Sequence, residues 1–544
     1  MLAAMSLPPT TTPSGDETPV RGRDDACPGA LRLHPADDGA LARIRVPGGL
    51  LTGRQAHALG RVAEELGDGR LDITSRGNAQ VRGLAPGCGA ELAARLRAAG
   101  LLPSDRHDRV RNIVASPLSG LDGAGHADVA AWVRELDAVL CEDTGDGAPA
   151  GRGELSGLSG RFLFALDDGR GDVAALGADV TLIATPGGGA VLWVGGPPAG
   201  AGVPPSTAAH PDTAARHACR TDGSDAPGGN TNVTAGAGAA SGATGGARPG
   251  SALWVRSEDA ARAAALAAAE FLAMARAGGT RAWRVRELPA RHAVTADGLA
   301  ARLADAGVEA VRMERQPAAS AAPPAPGPVP GPDGRHALSV ALPLGRVSAA
   351  QWRLLTGLAA RGGADELRMT PWRGVVLPGF APDEARGALS ELSGAGLVTT
   401  PDSPWLGVGA CTGRPGCAKS LADVRAHTTH MVAGTARGAA DTAGAGTDTG
   451  RVAAGGPEPR PMVGPASGVG HRAAPEPLPV YVSGCERRCG HPGGRWVDAL
   501  ATGDTGYRVT VRGGARGDTP EAGDGVDVTA DQLAGAVAAA RGTT

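Results

Sequence analysis

Val46-Pro47-Gly48-Gly49-Leu50-Leu51-Thr52, followed by Gln55, returns as Leu342-Pro343-Leu344-Gly345-Arg346-Val347-Ser348, followed by Gln351, at a constant offset of 296 residues. Both copies read as a strand that ends in a Pro-x-Gly turn, after which a hydroxyl caps a helix. The offset also carries Leu59 onto Leu355 and Thr74 onto Thr370, and with one inserted residue Arg76-Gly77 aligns with Arg373-Gly374. A single turn could recur by chance. The turn, the cap, the Gln and the distal Thr together mark an internal duplication.

Around the first copy the pattern is strand (42–46), helix to Leu66, strand (71–74) and helix (89–99). This is half of a ferredoxin-like α+β unit. Between the copies, Arg109 to Gly120 leads to a helix over 129–141, an apolar strand within 158–169, further strands at 180–183 and 190–194, and an Ala-rich helix over 258–276. The expected organisation is a disordered tail (1–26), ferredoxin-like half 1 (27–104), catalytic half 1 (105–317) with a flexible insert at 198–251, a polyproline-style linker (318–334), ferredoxin-like half 2 (335–401), and a C-terminal domain (402–544) with a second insert at 433–475. Strands at 480–482 and 507–511 and a helix over 530–540 complete the chain.

The 544 residues include 86 Gly and 43 Pro, aromatics make up 3%, and Lys419 is the single lysine. A formal charge of −3 gives no electrostatic case for nucleic acid or an anionic membrane surface. No apolar run approaches the roughly 18 residues of a membrane span. The first residues lack the basic and apolar regions of a secretory signal, so the expectation is a cytoplasmic protein with reduced thiols.

Four of those thiols form two close pairs, Cys411/Cys417 and Cys485/Cys489, each in a Gly-rich turn flanked by Arg414 or by Arg487 and Arg488. Thiolates from two loops, with backbone N–H groups and arginines to ease negative charge, suit a [4Fe–4S] cluster. Zinc sites usually separate both pairs by two to four residues, so the five-residue gap of the first pair fits zinc poorly, and two disulfides are the remaining reading. Cys27, Cys88, Cys141 and Cys219 show no paired spacing.

The duplicated half, the two cysteine pairs, and the stretches Arg43-Ile44-Arg45-Val46-Pro47-Gly48-Gly49, Thr74-Ser75-Arg76-Gly77 and Arg111-Asn112-Ile113 resemble the sulfite and nitrite reductase superfamily. That resemblance implies an α+β, internally duplicated sulfite/nitrite reductase-like fold, with two ferredoxin-like half domains and two α/β catalytic halves around a tetrapyrrole. Two departures point within it. Sirohaem reductases usually carry Gly-Cys-Pro-Asn-x-Cys where this chain has Gly484-Cys485-Glu486-Arg487-Arg488-Cys489, and they place a Lys-x-Lys pair where it has Arg161 and Leu163. Both departures, with the strand Phe162-Leu163-Phe164-Ala165-Leu166-Asp167-Asp168-Gly169, resemble the precorrin-3B synthase family of the aerobic cobalamin pathway.

That resemblance implies an oxidoreductase, a monooxygenase that hydroxylates precorrin-3A and closes a γ-lactone. Its cofactors would be a [4Fe–4S] cluster, mononuclear non-haem iron, and NADH acting through a separate reductase or ferredoxin, since no Gly-x-Gly-x-x-Gly follows a strand. Arg45, Arg76, Arg111 and Arg161 hold positions that face the tetrapyrrole in the reductases, and guanidinium forks suit its many carboxylates. Gln80, Arg82 and Asn112 are weaker candidates, because each could simply satisfy a turn. Cys489 stands where the last cysteine also bridges cluster and haem iron. His427, His430 and His491 lie near the cysteines, but nothing in the sequence assigns the iron ligands. The alternatives are a sirohaem-dependent sulfite or nitrite reductase and a non-catalytic tetrapyrrole-binding or Fe–S carrier protein.

Overall fold

The computed structural model describes residues 25, 27–142, 155–195, 251–313, 322–444, 477–513, 519–520 and 525–542. They fall into two compact units that divide after Pro401. Residues 198–250 of the first insert and 445–475 of the second lie outside the described residues, as does Cys219, whereas Ser251, the expected end of the first insert, already belongs to a strand.

The first unit opens with β1 (Ala40–Ile44), β2 (Leu50–Thr52), α1 (Gly53–Glu65), β3 (Arg70–Ile73), β4 (Ala79–Leu84) and α2 (Gly89–Ala99). Thr52 caps α1 by accepting from the Gln55 amide, and the Gln55 side chain returns to the Thr52 amide. Next come β5 (Ile113–Ala115), α3 (Ala130–Cys141), β6 (Phe164–Asp167), β7 (Val180–Thr185), β8 (Gly189–Val194), β9 (Ser251–Arg256), α4 (Ala260–Ala277), α5 (Ala296–Asp305) and β10 (Ala310–Arg312). Their sheet has the order β10-β9-β8-β7-β6-β5, parallel from β5 to β7 and antiparallel beyond. Strand alternation turns Phe162, Phe164 and Leu166 towards the core that holds α4, leaving Leu163 and Ala165 in a separate cluster.

The second copy supplies β11 (Gly327–Pro330), β12 (His336–Ala341), β13 (Arg346–Ser348), α6 (Ala349–Arg361), β14 (Glu366–Met369), β15 (Gly374–Phe380) and α7 (Pro382–Gly394). The Pro-rich stretch expected to be a linker over 318–334 therefore contains a strand. β11 sits at a sheet edge, where Pro328 and Pro330 forgo ladder donors at little cost.

The two copies exchange strands. One sheet runs β1-β4-β3-β13 and the other β11-β12-β15-β14-β2, so each copy places its post-turn strand in the other's sheet. Their helices and inner faces share one hydrophobic core. The correspondence is strict: Ile44 pairs with Ala79 as Val340 pairs with Val375, and both ladders carry an irregularity at the same place.

One alignment changes. Thr74 Oγ1 accepts from the Asn78 amide (3.2 Å) and Thr370 Oγ1 from the Gly374 amide (3.0 Å), so the offset persists through the turn with no inserted residue. Arg373 (φ 62°) stands where Gly77 (φ 64°) does, and Trp372 stands at the position of Arg76. The shared Arg-Gly dipeptide suggested an insertion, whereas the backbone repeats the left-handed turn at fixed length.

The second unit comprises β16 (Val408–Ala410), α8 (Val424–Gly444), β17 (Val480–Ser483), β18 (Trp496–Ala501), β19 (Gly506–Gly513), β20 (Thr519–Pro520), β21 (Val526–Thr529) and α9 (Leu533–Gly542). α8 runs through what was expected to be the start of the second insert at 433, because the helix that begins after the first cysteine pair continues to Gly444. The sheet is parallel across β16, β17 and β18, then antiparallel, which repeats the pattern of β5 to β8.

Candidate functional site

In the first unit a buried cationic nest surrounds the carbonyl of Gly160. Arg45 lies just past β1, and Arg76 sits in the turn between β3 and β4. Arg45 Nη2 (3.3 Å), Arg76 Nη1 (3.4 Å) and Asn112 Nδ2 (3.2 Å) all donate to that one oxygen. Asn112 also accepts from Asn78 Nδ2 (2.9 Å), and Asn78 in turn accepts from the Val46 amide (3.0 Å). The two asparagines thus tie the end of β1, the β3–β4 turn and the 159–162 loop together. Asn112 Nδ2 also donates to the Phe162 carbonyl (3.1 Å), so its side-chain amide is filled by protein partners.

Arg45 is 2% exposed and Arg76 8%. Neither has a carboxylate within salt-bridge distance among the described residues, and Arg45 Nη1 and Arg43 Nε are buried with no hydrogen-bond partner. Burial, and then the charge of Arg43, push Arg45 down to about 10. Burial, and then Arg284 and Arg45, push Arg76 down to about 9. Burial and neighbouring like charge both disfavour a cation, so the nest is poised to receive an anion.

The expected substrate residues separate into two groups. Arg161 lies 4.7 Å from the centre of the Trp283 ring and 3.8 Å from Asp25, at the edge of the nest. Gln80 accepts from Arg43 Nη2 (3.3 Å) and so reaches the nest through Arg43. Arg82 and Arg111 differ from the expectation. Arg82 makes a bidentate pair with Asp38 (2.8 and 2.7 Å), and Arg111 one with Asp137 (2.7 Å to each oxygen). Both forks are already filled by carboxylates distant in sequence, although Arg111 still lines a cavity of about 250 Å³ that Arg45 also borders.

Three members were not foreseen. Arg43 lies two residues before Arg45, and strand alternation could have put both on one face. Arg284, ion-paired with Asp179 (2.6 Å), is near enough for its charge to act on Arg76. Asp25, placed by the sequence in a disordered tail, is buried and accepts from Ser159 Oγ (2.7 Å) and from the Gly160 (2.8 Å) and Cys27 (3.0 Å) amides. No local signal in the sequence marks Arg284 or Asp25.

Beside the nest, Leu163 is 5% exposed and packs with Val114, Ala165, Val173 and Ala178, while Leu176 and Trp372 lie against this cluster. Its amide donates to Asp179 Oδ2 (2.9 Å), the same oxygen that pairs with Arg284.

In the second unit the first cysteine pair follows β16 and the second follows β17, at the carboxyl ends of parallel strands, where open α/β sheets bind ligands. The Gly484 amide donates to Cys411 Sγ (3.2 Å). Burial pushes the Cys411 and Cys489 thiols up, and the other three sulfurs push Cys489 up further, so each of the three lies within electrostatic reach of Cys489. Arg487 acts on Cys489 in the opposite direction. Among the described residues no three His, Cys, Asp or Glu gather closely enough to hold a metal ion. A lone ion needs its donors converged, whereas a cubane takes one thiolate at each iron corner of a larger body. The donor set of four thiols, N–H groups and arginines fits the latter.

The nearby histidines have other partners. His427 Nδ1 is 2.7 Å from the Tyr507 hydroxyl, His430 lies 3.9 Å from Asp531, and His491 bonds the Pro492 carbonyl and stacks on Trp496. Among the described residues no helix is long and apolar enough to cross a membrane.

The family model for the nitrite/sulfite reductase ferredoxin-like half domain matches residues 34–99 and again 329–395. The ferredoxin–nitrite reductase of Synechococcus elongatus is 36% identical over 132 residues, 24% of this chain and 25% of that protein. The precorrin-3B synthase of a Sinorhizobium species is 32% identical over 141 residues, 26% of this chain and 29% of the relative. The sulfite reductase [NADPH] hemoprotein β-component of Acidithiobacillus ferrooxidans is 38% identical over 97 residues, 18% and 17% of the two chains. The chain thus matches under a third of the length of each of these relatives. The solved structure of the Mycobacterium tuberculosis NirA protein superposes with a TM-score of 0.58 at 19% identity, covering 91% of this chain and 79% of the other. The chain has the nitrite/sulfite reductase-like fold, and each of its two copies matches the ferredoxin-like half-domain model.

Proposed function

We propose that the protein is an oxidoreductase of the precorrin-3B synthase type, which inserts one oxygen atom from O2 into precorrin-3A and closes a γ-lactone from an acetate side chain. The observation that carries this reading is Leu163. It stands at a position where the resembling reductases have a lysine to bind and protonate an oxyanion, and here it is a hydrocarbon packed among hydrocarbons. A leucine delivers no proton.

The remaining residues suit a large organic anion. Arg45 and Arg76 hold buried guanidinium groups with no ion-pair partner among the described residues, and carboxylates of a tetrapyrrole could fill those forks. Cys411, Cys417, Cys485 and Cys489 would hold a [4Fe–4S] cluster, which would supply single electrons; the mononuclear non-haem iron that the resemblance also implies finds no set of three His, Cys, Asp or Glu among the described residues to hold it, and no step is assigned to it. NADH would be the formal donor, acting through a separate reductase or ferredoxin.

The test is incubation of anaerobically reconstituted protein with precorrin-3A and reductant, followed by admission of ¹⁸O2. A product heavier by one labelled oxygen supports the hydroxylase. Unchanged precorrin-3A, with reduction of sulfite or nitrite by protein that carries sirohaem, supports the second reading, a sirohaem-dependent reductase. That reading is favoured by the 36% identity to a nitrite reductase.

A further inference from the structure

The two copies of the duplicated half have diverged at one pair of equivalent turn positions, and the divergence is chemical. The first copy has Arg76 and the second has Trp372, each one residue before the left-handed residue of its turn. The neighbouring strand positions diverged in the same direction. Arg43 and Arg45 correspond to Ser339 and Ala341, so every cation of the nest from this part of the chain comes from the first copy.

The two turns abut. A Cβ on Gly77 would lie 3.2 Å from the Met369 carbonyl oxygen and 3.8 Å from the carbonyl carbon of Thr370. Beneath the turns a buried chain of contacts runs on: the charge of Arg284 acts on Arg76, Arg284 pairs with Asp179, Asp179 accepts from the Leu163 amide, and the cluster of Leu163 packs against Trp372. Trp372 is half-buried, and no hydrogen bond to its indole N–H is found among the described residues. Arg76 is thus a buried cation with no carboxylate partner among the described residues, and Trp372, on the abutting turn, is a half-buried aromatic ring.

The geometry points to Trp372 as a specificity-determining residue: it is the apolar arm of a two-armed site whose cationic arm is Arg76, and the pair selects a broad aromatic or macrocyclic polycarboxylate over a small hydrated oxyanion. A small anion satisfies the arginines alone. A ring that carries carboxylates at its rim satisfies them while laying its face on the indole, a contact that adds to area burial. This inference rests on the proposal that the site takes a tetrapyrrole.

Titration with uroporphyrin III, an octacarboxylate macrocycle, and competition by citrate at constant ionic strength test it on the full chain. Trp372→Ala should weaken uroporphyrin binding roughly tenfold or more, leave the citrate constant unchanged, and be largely rescued by Trp372→Phe. Arg76→Gln should weaken both ligands. The unchanged citrate constant also shows that Trp372→Ala has folded. Equal uroporphyrin affinity in Trp372→Ala and wild type would overturn the role of Trp372 while leaving the tetrapyrrole reading intact. Failure of the wild type to bind uroporphyrin at all, with citrate still bound, would overturn both.

Discussion

The indole N–H of Trp352 donates to the main-chain carbonyl of Ala56 at 2.8 Å, and the two residues occupy the same position of the repeat, 296 residues apart. α1 and α6 therefore meet across their own symmetry relation, and Gly60 makes the room, since a Cβ there would lie 2.7 Å from Trp352 Cδ1. Trp352→Ala should cost about 3–5 kcal/mol by cavity formation. Trp352→Phe, which mainly removes the donor, should cost less. Chemical denaturation of the two variants checks this, and equal losses would contradict it.

The equivalence of Gly77 and Arg373 predicts opposite effects of exchanging their residue types. Both sit in the left-handed region, which costs an L side chain about 1–2 kcal/mol. Arg373→Gly should leave stability level or raise it by up to about 1 kcal/mol once the freer unfolded chain is counted. Gly77→Ala should lower it, with the nearby Met369 carbonyl adding to the penalty. Denaturation midpoints of the two variants decide the point.

Burial of unpaired arginines makes the nest a site where function opposes stability. Arg76→Met removes a cation that burial, Arg284 and Arg45 all disfavour, and should raise the melting temperature of the ligand-free protein. The same variant should lose the rise that a polycarboxylate gives the wild type at constant ionic strength. Thermal melts with and without the ligand test both halves of the prediction.

Asp172 gives a pH dependence whose sign is fixed. Its carboxyl is pushed up to about 7 by burial and then by the Asp167 carboxylate, and Ser116 Oγ donates to it at 2.6 Å. The unfolded chain releases this proton near pH 4 and the folded chain holds it to about 7, so stability falls as pH rises through that window, by at most about 1.4 kcal/mol per unit. Asp172→Asn should match the wild type near pH 4 and exceed it above pH 7. Urea unfolding at both pH values measures the difference.

The duplication, the helix caps and the cysteine pairs were legible because each is written in local sequence: a turn with its cap, or two thiols in one loop. The nest was legible only in part. Arg45 and Arg76 stand in recognisable stretches, but whether an arginine is free depends on carboxylates far away in the chain. Asp38 occupies Arg82 and Asp137 occupies Arg111, while no described carboxylate occupies Arg76. Arg284 and Asp25 enter through tertiary contacts that no spacing announces. Trp372 was hidden by an Arg-Gly dipeptide that invited a one-residue shift, and backbone conformation corrected it.

The most direct test of the proposed function is the iron, sulfide and tetrapyrrole content of anaerobically purified protein, read with its absorption spectrum. The proposed enzyme should carry about four sulfides and slightly more than four irons per chain, show a broad thiolate–iron shoulder near 400 nm, lose the sulfide and the shoulder on Cys485→Ser, and hold no sirohaem. A stoichiometric sirohaem with its Soret band, and turnover of sulfite or nitrite, would contradict it.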